Sequence, residues 1–172
     1  MLGTEQPNDD LQAALADDTV FIRVAGRGSF KIAAPLKQFV AEVALHQPIS
    51  TVVIDLKECI GMDSTFMGVL AGLSGRLKKT SQTLELINLS TKNAELLKTL
   101  GVDQVLSFYK DGHGHPLQAQ ETESVPTDQA SKKEMAETAL QAHENLVQIS
   151  EENLPRFKRV IDFLKEDVNR LN

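Results

Sequence analysis

The chain has no tryptophan, one tyrosine and one cysteine in 172 residues. A lone cysteine, Cys59, excludes an intramolecular disulfide and fits a reducing compartment; its apolar surroundings read it as core rather than as a reactive thiol. No apolar run approaches the roughly 20 residues that span a bilayer. The stretch Met1–Pro7 carries neither a basic n-region nor an apolar h-region. A cytoplasmic protein without membrane contact is the expectation. Basic residues are in deficit too: 18 Lys and Arg face 24 Asp and Glu, for a formal charge of −6. That is the wrong sign for neutralising phosphates, so nucleic-acid binding is not expected. The deficit lies toward the end of the chain, where residues 111–172 carry 7 basic and 12 acidic side chains against 11 and 12 in residues 1–110.

Catalytic and metal-binding patterns are also missing. Of four histidines, His46 ends a helical pattern and His143 falls inside another, both expected to face solvent. His113 and His115 stand in a glycine-rich stretch with no third ligand nearby, so no metal is expected. Gly26-Arg27-Gly28-Ser29 is followed by no Gly-Lys-Ser/Thr and opens no GxGxxG, which leaves a tight turn after a strand and no nucleotide cradle. No nucleophile has a helper at a telling spacing. The chain reads as a binding protein without a cofactor, not as an enzyme.

What is present is a regular alternation. Thr19–Ala25 is β-branched and aromatic and reads as a strand; Ile32, Leu36, Phe39, Val40 and Val43 mark one face of a helix over Lys31–Leu45, stopped by His46-Gln47-Pro48. Thr51–Leu56 suits a strand covered on both faces, and Lys57–Asp63 a loop. A second helix runs from Ser64 to Lys79 with Phe66, Met67, Leu70, Leu73 and Leu77 inward. Thr83–Asn88 is a strand. Lys92–Leu100 is a helix capped by Ser90 or Thr91 and closed by Gly101, and Val105–Tyr109 is a last strand. Leu11–Leu15 fits either a further strand or a helix. The order predicts an α/β layer with right-handed crossovers and a mixed, largely parallel sheet.

Residues 1–110 are therefore expected as one domain, 111–127 as a linker and 128–172 as a helical extension. In the extension, Met135, Ala139, Ala142, Leu146 and Ile149, then Leu154, Phe157, Ile161, Leu164, Val168 and Leu171, repeat at helical spacings. Two amphipathic helices account for them, with Asn153 a candidate cap of the second and Pro155 in its first turn. Each stripe needs a covering surface: the other helix, the α/β body, or a second chain in a homodimer through residues 128–172.

The segment Met62-Asp63-Ser64-Thr65-Phe66-Met67-Gly68 opens the second helix. Asp, Ser or Thr before an apolar helix is what an N-cap looks like. Its frame, a buried strand, a short loop, Asp-Ser-Thr and then Gly68, resembles the STAS domain of bacterial anti-sigma-factor antagonists over about residues 11–110. The family pattern is Asp-Ser-Ser/Thr-Gly, an apolar residue and Gly. The resemblance implies a partner-switching regulator of transcription that is phosphorylated at Ser64, less readily at Thr65. It implies as partners a serine-kinase-type anti-sigma factor, bound when Ser64 is unphosphorylated, and a serine phosphatase. The partner surface would comprise Asp63, Ser64, Thr65, Phe66, Met67, Ser29 and Phe30. Phe66 stands in place of the family's first glycine, where it would add an apolar contact or crowd a kinase's approach; Ser29-Phe30 stand where an Asp is common. A STAS scaffold or oligomerising adaptor, with Ser64 only a cap, is the alternative.

Overall fold

The computed structural model describes residues 8–115 and 121–172, so Met1–Pro7 and a short part of the expected linker lie outside the described residues. The β-branched run after Asp18 forms β2 (Thr19–Gly28), in the middle of a sheet ordered β6-β5-β3-β2-β1-β7. β1 (Asp10–Ala16) pairs antiparallel with it, from Asp10 opposite Ala25 to Ala16 opposite Thr19, around a turn in which Asp17 takes φ 54°. The ambiguous Leu11–Leu15 is thus a strand. Its alanines have no strong preference for one, but pairing with β2 buries Leu11 and Ala13, which outweighs local propensity.

β3 (Thr51–Asp55) lies parallel to β2, β5 (Thr83–Ile87) parallel to β3, and β6 (Ser107–Phe108) parallel to β5. The intervening helices are α1 (Phe30–His46), α2 (Ser64–Lys78) and α3 (Thr91–Thr99), capped by the side chains of Ser29, Asp63 and Ser90. They bury Ile32, Leu36, Val40, Phe66, Leu70, Leu73, Leu77 and Leu97 in one core with Val20, Ile22, Val24, Val52, Ile54, Leu84 and Leu86. Alternate strand residues Phe21, Val53 and Ile87 form a smaller cluster with Tyr109, away from that core.

The structure revises four expectations. The stretch read as the loop Lys57–Asp63 holds β4 (Cys59–Met62), parallel to the end of β2 with Gly26 opposite Cys59 and Gly28 opposite Met62. Four residues around a glycine are too short to show alternation; the exposed end of β2 and the Asn93 amide, which donates to the Cys59 carbonyl at 2.9 Å, hold the strand. The last strand shrinks to β6 because a 3₁₀ turn, Val102–Gln104, follows Gly101 at φ 76°. The expected linker contains β7 (Glu123–Ser124), antiparallel to β1, and Val125 reaches the core. Asn153 does not cap the last helix: its buried amide donates to the carbonyls of Leu100 (2.9 Å) and Leu146 (2.8 Å).

The extension is a helical hairpin, α4 (Lys132–Ile149) and α5 (Asn153–Leu171), whose start is fixed by a capping box between Ser131 and Glu134. α4 packs on α2, and α5 on α4. The body therefore supplies the covering surface for much of the tail's apolar stripes, with Ala142, Leu146, Phe157 and Ile161 joining the main core.

Candidate functional site

Asp63 sits where two helices begin. Its Oδ1 accepts the Phe66 N–H at 2.9 Å, capping α2, and its Oδ2 accepts the Phe30 N–H at 2.7 Å, the first residue of α1. The backbone fixes the carboxylate in place, since the Asp63 N–H donates to the Gly28 carbonyl at 2.9 Å. Ser29 caps α1 at Lys31 and donates its hydroxyl to Asp9 at 2.6 Å. Two helix N-termini and their partial positive charge thus converge on one spot, a setting that favours an anion.

Ser64 is the first residue of α2, half-buried, and its hydroxyl meets His143 of α4: Oγ to Nε2 is 2.8 Å. The other ring nitrogen, Nδ1, lies 2.7 Å from the Ala139 carbonyl. A carbonyl only accepts, so Nδ1 carries the proton, and in the neutral ring Nε2 accepts from Ser64. Phe157 of α5 closes the remaining side with an edge-on contact at 5.0 Å between ring centres. His143 was expected to face solvent; it is 4% exposed. Helical periodicity places it on a face but does not say what that face meets, and only its partner 79 residues away makes it informative.

A serine hydrogen-bonded to an oriented histidine meets the first geometric test for a nucleophile and its base. Here Nε2 accepts from Ser64, Nδ1 is held by the Ala139 carbonyl and Phe157 packs edge-on, so the imidazole lies buried under the hairpin at 4% exposure.

The expected partner surface divides in three. Phe66 is fully buried, with its ring against Gly28, where a Cβ would stand 2.6 Å from it. Met67, Thr65 and Ser29 are buried as well. These four are not presented to an outside partner, because α2 turns Phe66 and Met67 into the core, and the glycine at position 28 leaves room for a ring where the family has a glycine on α2. Asp63 and Ser64 are partly accessible. Phe30 remains open at 50% exposure, and Ile60 on β4 is exposed as well.

Beyond Ser64 the covered ridge of α2 continues through Gly68 and Gly72, one helical step of four each. A Cβ on Gly68 would lie 2.3 Å from the Ala142 carbonyl oxygen, and one on Gly72 would lie 2.4 Å from the Asn145 amide nitrogen. The two helices meet at backbone distance, and the Asn145 amide donates to the Gly68 carbonyl at 3.3 Å.

The remaining candidates have ordinary roles. Burial pushes the Cys59 thiol up from its usual range, with its Sγ near the Gly61 carbonyl. His115 pairs with Glu85 at 2.8 Å, His113 stacks on Tyr109, and His46 is exposed beside Glu42. Among the described residues no three His, Cys, Asp or Glu stand together as metal ligands, and no helix is long and apolar enough to cross a membrane.

A mixed sheet with helices on its main core and an Asp-Ser helix start beside the β2–α1 turn defines an α/β module of the STAS type. The family model described as "Mlab, STAS domain" matches residues 11–107, more than half of the chain, and the chain belongs to that family. No curated protein matches it in sequence. Solved structures share the fold. A candidate anti-sigma factor antagonist from Thermotoga maritima is 15% identical, with a TM-score of 0.54 over 60% of this chain and 88% of that one. The anti-sigma factor antagonist SpoIIAA of Bacillus, unphosphorylated, is 16% identical, with a TM-score of 0.53 over 63% and 91%. A sulfate transporter family protein from Wolinella succinogenes is 16% identical, with a TM-score of 0.52 over 58% and 83%.

Proposed function

We propose that this chain is a phosphorylation-gated protein-binding switch of the anti-sigma-factor-antagonist kind. It binds a serine-kinase-type partner through the start of α2 when Ser64 is unmodified, and a serine phosphatase resets it. The observation that carries the reading is the Ser64 hydroxyl at the start of α2 in a STAS fold, next to the Asp63 carboxylate that takes the N–H groups of two helix starts, one of them that of exposed Phe30. A phosphate there adds about −1.5 to −2 charges. The helix ends tolerate that charge, so the fold persists while a partner packed against the helix start is repelled. The chemistry is recognition and not catalysis. Thr65 is the poorer acceptor because its side chain is buried.

Incubating the full chain with ATP and the serine kinases of its host should place one phosphate on Ser64, read by mass spectrometry of the tryptic peptide Glu58–Arg76. Ser64→Ala should leave that peptide unmodified. Phosphate found only elsewhere in the chain would overturn the reading.

One observation favours a second reading, an adaptor that assembles through its tail: Val160, Phe163 and Leu171 keep an exposed apolar stripe on α5. If the adaptor reading holds, the full chain sediments as a dimer and the double variant Val160→Glu, Phe163→Glu as a monomer. Two monomers would remove its support.

A further inference from the structure

Resting on the reading of Ser64 as the switch residue, we infer that the α4–α5 hairpin is an intramolecular occupant of the partner site, which must lift before a kinase or partner reaches Ser64. The hairpin covers the same ridge of α2 that carries the serine. Ser64, Gly68 and Gly72 are spaced by four and so line one side of the helix, and α4 meets all three, through His143, Ala142 and Asn145. The approach is too close for any second chain to slip between the helices, since even a methyl group on Gly68 would strike the backbone of Ala142.

The cover is partial. Phe30, whose N–H is held by Asp63, stays exposed and offers a landing point while Ser64 is still covered. The attachment permits lifting without loss: β7 is pinned to β1, and only residues 126–131 separate Val125 from the start of α4. A hairpin on so short a tether stays at high effective concentration and closes again once the site is free.

Phosphate and the closed hairpin exclude each other. Phosphorylation removes the hydroxyl proton that Nε2 accepts at 2.8 Å and sets a bulky group on Oγ against α4. Modification of Ser64 therefore favours the open hairpin, and opening favours modification.

The test uses the full chain carrying Ser64→Cys, alkylated with a maleimide on a bulky polyethylene glycol; the native Cys59 is buried and serves as the slow internal control. Adding Ala142→Arg, which crowds the ridge from the tail side, should raise the alkylation rate at position 64 by about tenfold or more. Asn153→Ala, which removes the amide tying the hairpin to Leu100, should raise it by a smaller factor and guards against misfolding of the arginine variant. Rates unchanged in both variants overturn the inference. So does a rate for the Ser64→Cys chain that falls as its concentration rises, since that assigns the cover to a second copy. The switch reading fails separately, if kinases leave Ser64 unmodified in a full-length Ala142→Arg chain whose site alkylation shows to be open.

Discussion

Replacing Gly68 by leucine should strip α4 from α2 while leaving the sheet folded, and hydrogen exchange read by mass spectrometry should show it as rapid labelling across α4. The new side chain would begin 2.3 Å from the Ala142 carbonyl oxygen, a backbone atom that no rotamer change can move. Overpacking ordinarily costs about 1–3 kcal/mol, and a clash with backbone belongs at the upper end. At about 2–3 kcal/mol that corresponds to a roughly 30- to 160-fold larger open population of the hairpin. α2 itself gains, because leucine is the better helix former by nearly 1 kcal/mol. Peptides from β2, β3 and β5 should keep their protection. Protection of α4 at the native level in this variant would mean that the close approach of the two helices is not what holds the tail.

A different loss is expected from Phe66→Ala. The ring is wholly inaccessible and lies over Gly28, so its removal leaves a hole that the β2–α1 turn cannot fill without moving Asp63 and both helix starts. Large-to-small changes of this kind cost about 3–5 kcal/mol, a large share of the roughly 5–15 kcal/mol that holds a domain of this size. Urea unfolding followed by far-ultraviolet circular dichroism suits a chain without tryptophan and should show the unfolding free energy falling by that amount, with a lower midpoint. A loss below about 1 kcal/mol, the size of a surface change, would return Phe66 to the partner surface.

The two variants separate the parts of the site. Phe66 supports the helix start from below, and Gly68 admits its cover from above. The single hydrogen bond from Ser64 to His143 contributes only about 0.5–1.5 kcal/mol. Burial of Leu146, Phe157 and Ile161 contributes more, at about 1.5–3 kcal/mol for each fully buried side chain. The hairpin is held chiefly by packing, and the serine–histidine bond makes that packing sensitive to what happens at Ser64. A phosphate on Ser64 adds about −1.5 to −2 charges at that contact, against a docking held by a few buried side chains.

Much of the fold was legible because its signals are local. Val20, Ile22 and Val24 alternate with Phe21 and Arg23 along one strand, and Ile32, Leu36 and Val40 recur by helical steps, so three to seven neighbouring residues identify each element. β4 escaped because Cys59–Met62 is shorter than any period it might display, and β7 because Glu123–Ser124 is polar and pairs with β1 only after a separation of more than 100 residues. In the extension, Asn153 reads as a helix cap and His143 as a solvent-facing position on an amphipathic helix. Both are buried because the body provides their hydrogen-bond partners, the Leu100 carbonyl and the Ser64 hydroxyl.

The sequence by itself determined the main alternation of β2, α1, β3, α2, β5 and α3 and the Asp63-Ser64 pair at the start of α2, since an N-cap is written in three or four consecutive residues. It also determined that the tail carries two apolar stripes in need of a cover. Only the tertiary structure decided what covers them and what they cover in turn. Burial of apolar area is non-directional, so a stripe specifies that it must be hidden and not against what. The choice of α2 came from shape, from two glycines whose missing side chains let α4 come close enough to set His143 against Ser64.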